Sequence, residues 1–357
     1  MKRLTIALIL IFGAAFTIGS MPALAQFSGP TPLTLINGWT NAPNAFTPFN
    51  TSIATVEEVA GIVQFRGGIE NAQGSTNQFP FVLPAALSPT TDVFIPVTLL
   101  CLGFNETGRL HIEPNGTVIV ERKGPLTPCF ASLDGASFAL TDTGFTQLAP
   151  IHGWSNAPFS TSNAAVQNIN GIVHFKGAIS TSPNNSNLEP FTLPVGFTPA
   201  TDVFIPVDLC GANTGRLHIT PGGTVDINVP SGAAASNPAQ CFTSLDGAWF
   251  AATDTGFTQL APINNWMNAP FSTSNAAAAN AYGIVYFKGA VSSGTSSVVT
   301  TLPVAFRPIT DVFIPVDLCG ANDGWIQIAA GSGEVTINDP TASAPCFLSL
   351  DGVSFVQ

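Results

Sequence analysis

Along much of the chain, apolar and polar residues trade places at every second position. In Ile172-Val-His-Phe-Lys176, Val173 and Phe175 share one face while Ile172, His174 and Lys176 share the other. The pattern predicts a strand whose second face meets water, with Gln64, His174 and Tyr286, then Arg66, Lys176 and Lys288, at equivalent outward positions. A second alternating run, Gly215-Arg-Leu-His-Ile-Thr-Pro-Gly-Gly-Thr-Val-Asp-Ile-Asn228, turns about Pro-Gly-Gly and predicts a β-hairpin. Thr201-Asp-Val-Phe-Ile-Pro-Val207 is apolar on both faces and reads as a buried strand whose proline sits at an edge or a bulge.

These runs recur. Gly61–Ile69 returns as Gly171–Ile179 and Gly283–Val291, and Thr91–Val97 is repeated unchanged at Thr201–Val207 and Thr310–Val316. Ser132-Leu-Asp-Gly135 returns at Ser244–Gly247 and Ser349–Gly352, and a Trp-x-Asn-Ala-Pro opening stands at Trp39, Trp154 and Trp266. Thr141–Ile151 is repeated letter for letter at Thr253–Ile263. A period of roughly 110 residues implies tandem domains, each with its own core, rather than a solenoid. The expected division is a leader over 1–25 and modules over 26–141, 142–253 and 254–357. Six to nine short strands per module, with turn signals between them, predict an all-β fold of three β-sandwich or jelly-roll modules, with a closed barrel as the alternative. The junctions are short and partly apolar, so packed neighbours are expected rather than beads on flexible tethers.

Met1-Lys2-Arg3, an apolar stretch and Ala23-Leu24-Ala25 make a secretory signal peptide, and export to a periplasm or the outside is expected. Its removal takes two basic residues and no acid, moving the net charge from −11 to −13. Such a balance argues against nucleic acid or an anionic membrane as partner, and no later segment predicts membrane insertion. Only 9% of residues are charged, and 33 glycines and 29 prolines favour turns and short strands over helices. In an oxidising compartment the six cysteines read as disulfides. Cys101 and Cys129, Cys210 and Cys241, and Cys319 and Cys346 follow one plan in each module, so pairing within modules is expected. A closed loop of about 30 residues stabilises by roughly 3 to 4 kcal/mol in the chain-entropy picture.

Trp-x-Asn, Gly-Ile-Val-His-Phe-Lys-Gly, Thr192-Leu-Pro-Val-Gly-Phe-Thr-Pro199, Gly-Arg-Leu-His-Ile-x-Pro-Gly-Gly-Thr-Val and a closing Ser-Leu-Asp-Gly-x-x-Phe follow one another in that order. This succession resembles the C-terminal receptor-binding head of bacteriophage tail-fibre and baseplate proteins. The resemblance implies a β-sandwich head that assembles as a trimer and recognises cell-surface saccharides. The leader and the cysteine pair per module depart from that family. Three modules in one chain could reproduce the three-fold arrangement internally, so a monomer with pseudo-three-fold modules is expected in preference to an obligate homotrimer.

Candidate chemistry is sparse. No His, Cys or carboxylate set has metal-ligand spacing, no Gly-x-Ser-x-Gly elbow exists, and no cofactor motif is found. Asp92, Asp202 and Asp311, with Asp134, Asp246 and Asp351, occupy turn contexts in which Asp caps backbone amides. Candidate ligand contacts are Arg109 and Arg216, His111 and His218, and Trp325, which replaces the arginines on what reads as the outward side of the hairpin strand. There an indole could stack on a sugar, or it could be buried at a module interface. The openings Trp39, Trp154 and Trp266 read as structural anchors at the module junctions, with a sugar-stacking platform as the alternative. The expected function is non-catalytic binding of a glycan or other surface ligand; a self-associating structural component and a polysaccharide-acting enzyme are the alternatives.

Overall fold

The computed structural model describes residues 28–42, 49–71, 75–101, 104–124, 130–230, 238–338 and 346–357. The leader at 1–25 and Cys129, and with it the Cys101–Cys129 pair, lie outside the described residues. The fold is all-β, and one arrangement occurs three times. In the middle copy a four-stranded sheet runs Thr146–Gln147, Ala165–Ile169, Ile172–Lys176, Trp249–Ala251. A seven-stranded sheet runs Ser155–Asn156, Ala178–Ser180, Thr243–Ser244, Val203–Leu209, Asn213–Ile219, Thr224–Asn228, Phe191–Thr192. All pairings within them are antiparallel. Among the described residues each copy therefore has eleven strands, above the six to nine expected, because four in the middle copy are two residues long and too short for an alternation to register. In the last copy the larger sheet divides into three and four strands, joined by the bridge Leu318–Leu348.

The predicted hairpin is present, with Arg216 opposite Asn228 and His218 opposite Asp226 about the Thr220–Gly223 turn. The proline also finds the predicted edge. Strand Val203–Leu209 pairs along its whole length with Asn213–Ile219, but its other side meets Thr243 only at Leu209, so the edge at Pro206 needs no N–H donor there. Ala277–Ala281, although rich in the strongest helix former, is a strand paired with Ile284–Lys288, because pairing and burial outweigh intrinsic propensity. Two disulfides take the expected partners, Cys210–Cys241 and Cys319–Cys346.

The repeated motifs are fasteners. Each opening tryptophan is buried in its own module's core, and its indole N–H donates to the carbonyl of Asn77, Asn187 or Ser296. The asparagine two residues on accepts from the amide of Ala54, Ala164 or Ala276. Each Ser-Leu-Asp-Gly carboxylate accepts from Gly67, Gly177 or Gly289 at 2.8–2.9 Å. The duplicated junction forms a strap. Lys176 pairs with Asp142 and lies over the Phe145 ring, as Lys288 pairs with Asp254 and lies over Phe257.

Separate apolar cores occupy the three copies, from Leu33 to Phe138, Leu148 to Phe250 and Leu260 to Phe355. Smaller clusters join the copies in a cycle. Phe94 of module 1 packs on Ala178 and Phe242 of module 2, Phe204 on Ala290 and Phe347 of module 3, and Phe313 of module 3 on Phe130 of module 1. The amides of Asp92, Asp202 and Asp311 donate across the same seams to Ser160, Ser272 and Asn50. The three Val-Phe-Ile-Pro-Val strands meet each other at the centre, so the chain closes on itself with pseudo-three-fold symmetry.

Closure overturns one reading of the alternation. Gln64, His174 and Tyr286, expected to face water, are 4–7% exposed, and Lys176 and Lys288 are 4% exposed. The second face of this strand meets the neighbouring modules: Val59, Ile172, Trp249, Ile284 and Tyr286 form one cluster drawn from all three copies. Burial there pushes His174 down to about 4, keeping the imidazole neutral.

Candidate functional site in the seams between modules

The hairpin strand and the Val-Phe-Ile-Pro-Val strand place the candidate residues together. Antiparallel pairing sets Arg216 opposite Pro206 and His218 opposite Phe204, so both polar side chains fall on the face of the hairpin that carries the Phe204 ring. The imidazole stacks on that ring at 4.4 Å, and the guanidinium lies 4.7 Å from its centre. Arg216 then reaches into module 3, donating to the Asp317 carboxylate at 3.0 Å, while its Nε donates to Asn228 of its own hairpin. Module 1 repeats the arrangement against module 2. His111 stacks on Phe94 at 4.3 Å, Arg109 lies 4.7 Å over the same ring, and Arg109 donates to Asp208 at 3.0 Å and to Glu121.

The electrostatics follow from burial. The Asp208 and Asp317 side chains are 2% and 1% exposed, and desolvation raises both carboxyls to about 7 against the opposing charge of their arginines. Burial disfavours charge on His111 as well, but the hydrogen bond and charge of Glu121 and the charge of Asp92 carry it above the ordinary histidine value. The Nε2 atoms of His111 and His218 are both buried without a hydrogen-bond partner.

Of the residues expected to contact a ligand, Arg109 and Arg216 reach across the seams to Asp208 and Asp317, while His111 and His218 stack on the Phe94 and Phe204 rings of their own modules. Trp325, read as outward-facing, is 6% exposed and packs with Phe313, Phe130 and Ala42 between modules 3 and 1. It occupies the interface position that was its alternative. The seam buries it because the apolar neighbours on module 1 leave no water to face.

Two further residues escaped the sequence reading. Phe159 and Phe271, from the repeated Ala-Pro-Phe-Ser, are 62% and 64% exposed and stand at φ 53° in the left-handed region, with Ala157, Ser160, Ala269 and Ser272 also at positive φ. Such backbone costs of order 1–3 kcal/mol per residue and persists only where its surroundings impose it. Phe271 meets the edge of Phe347 at 5.6 Å, and Phe159 meets Phe242 at 5.7 Å. Between modules 2 and 3, Phe204, Arg216, Phe271, Phe347 and the Cys319-Gly320 turn enclose an open cleft of about 400 Å³. The repetition of an aromatic after Ala-Pro, in a segment otherwise of small polar residues, was the available signal.

The repeated acids serve the fold. Asp311 accepts from the Ala330 amide at 2.9 Å, as a turn cap does, while the Asp92 and Asp202 carboxylates lie 3.6 and 3.8 Å from His111 and His218. Among the described residues no group of three or more His, Cys, Asp or Glu could hold a metal ion, and no helix is long and apolar enough to cross a membrane. No protein-family model, curated protein or solved structure matches the chain.

Proposed function

We propose that the chain is exported and acts outside the cytoplasm as a non-catalytic recognition protein for saccharides or a related cell-surface ligand, with the seam clefts as its binding sites. The observation that carries this reading is an exposed phenylalanine held in costly left-handed backbone, Phe271 at the lip of the aromatic cleft between modules 2 and 3 and Phe159 at the equivalent position against Phe242 between modules 1 and 2. A ring fixed in place stacks on the apolar face of a sugar with little side-chain entropy to lose. The signal-like leader and the disulfides within modules support export. The resemblance to tail-fibre heads agrees with a saccharide as the ligand. Two such phenylalanines on one chain would raise apparent affinity for a repeating surface through effective concentration.

The test is a glycan array probed with mature protein and with the Phe159→Ala/Phe271→Ala double variant. An exposed stacking ring is worth about 0.5–1.5 kcal/mol, so binding to any positive glycan is expected to weaken roughly 2- to 10-fold per site with the thermal midpoint unchanged. A double variant that binds as well as the parent removes the clefts from consideration. An array without any saturable signal removes the saccharide.

A further inference from the structure

The three seams differ, and the difference is concerted. The hairpin position that holds Arg109 and Arg216 holds Trp325 in the last copy; the position that holds Asp208 and Asp317 holds Thr98 in the first. Both replacements fall on one seam. It is also the only seam that no stretch of chain crosses, since modules 1 and 2 are joined through residues 141–151 and modules 2 and 3 through residues 253–263. Modules 3 and 1 meet by contact alone.

Those contacts are largely aromatic. Phe49 lies 4.9 Å from Phe130 and 5.0 Å from Phe313, Phe130 lies 5.8 Å from Phe313, and Phe313 lies 5.7 Å from Trp325. Phe49 follows a proline just as Phe159 and Phe271 do, yet it is half-buried where they stand exposed. Ser52 Oγ and Thr310 Oγ1 share a hydrogen bond at 2.6 Å beside this cluster.

We propose that this seam is a recognition surface whose partner is the chain's own first module, and that the joint exchange of Arg for Trp and Asp for Thr fixes the order in which modules dock. Any other order buries a charge without its partner. A module carrying Arg109 or Arg216, set against module 1, would find Thr98, which is fully buried, in place of a carboxylate. Module 3, set against module 2 or another copy of module 3, would leave Asp208 or Asp317 buried without a guanidinium. Uncompensated buried charge is strongly unfavourable, so wrong docking is rejected by the cost of desolvating an unpaired group as well as by lost contacts. The correct seam needs no ion pair at these two positions, and across it the Thr107 amide donates to the Asp323 carboxylate at 3.4 Å.

This inference is independent of any ligand and is tested on the whole chain. Ser52→Cys/Thr310→Cys protein, oxidised at low concentration, is expected to give a cross-linked monomer whose new bond maps within one chain by mass spectrometry. Covalent dimers, or no bond between these cysteines, overturn closure within the chain. For the order rule, Trp325→Arg and Thr98→Asp are each expected to lower the thermal midpoint, and the double variant to recover at least half of their combined loss by restoring the pair found in the other seams. Losses that simply add, or single variants without effect, overturn the pairing.

Discussion

The glycine of Ser-Leu-Asp-Gly shows how far one side-chain atom reaches in this molecule. Gly247 has φ +79°, and a β-carbon on it would stand 3.0 Å from Ile95 Cγ2 and 3.1 Å from the Ser137 carbonyl, both in module 1. Gly135 and Gly352 stand in the same relation to Ile314 and Ile205. Two constraints coincide: a left-handed backbone and the close approach of the preceding module. Gly247→Ala is therefore expected to lower unfolding free energy by ~1–3 kcal/mol in urea titration. A loss below about 0.5 kcal/mol would show that the seam gives way. Next to this glycine, Ser244 and Ser349 donate across their seams to the carbonyls of Phe94 and Phe204, both at 2.6 Å, so one tetrapeptide fastens its own module and the adjoining one.

At the scale of elements, the junction strap separates packing from charge. The Asp254 side chain is 81% exposed while that of its partner Lys288 is 5% exposed, and an ion pair with one partner in water contributes ~0.2–1 kcal/mol at most. Asp254→Asn is accordingly expected to change stability by less than ~1 kcal/mol, and Lys288→Ala, which removes the buried stem between Phe257 and the sheet, to cost more. Equal losses measured by denaturant unfolding would assign the strap to electrostatics instead.

Much of this level could be read from residues alone: the period-two strands, the hairpin about Pro221, the proline at an unpaired edge and two cysteine pairs. The face carrying Gln64, His174 and Tyr286 could not. Alternation reports that two faces differ, and a polar residue packed against another module looks the same as one in water. The seam pairs were nonetheless legible in principle, because aligning the copies with each other places Arg109, Arg216 and Trp325 in one column and Thr98, Asp208 and Asp317 in another. The exposure of Phe159 was beyond reach, since it depends on backbone angles that Ala-Pro-Phe-Ser does not announce.

For the whole molecule, the buried acids dictate a response to pH. Asp134, Asp246 and Asp351 sit in Ser-Leu-Asp-Gly, where desolvation raises each to about 7 despite hydrogen bonds from backbone amides. An unfolded aspartate titrates near about 3.9, so between those limits unfolding releases protons. Stability is then greatest near pH 4, falls as pH rises to about 7, and levels off above it. Calorimetry should give a higher midpoint at pH 4.5 than at pH 8, and Asp246→Asn should shrink that difference. A midpoint that rises across the same interval would mean the carboxylates are ionised and well solvated in the folded state.

The ring built from a single polypeptide has a last consequence, for inheritance. In a trimer of identical subunits every substitution appears three times, and a change that improves one interface is imposed on the other two. Joining the copies end to end frees them to diverge separately. Module 1 carries Thr98 where the others carry an acid, module 3 carries Trp325 where the others carry an arginine, and neither difference touches the two interfaces that hold the Arg–Asp pair. Covalent fusion thus turns a symmetric assembly into one whose sides can specialise by ordinary point mutation.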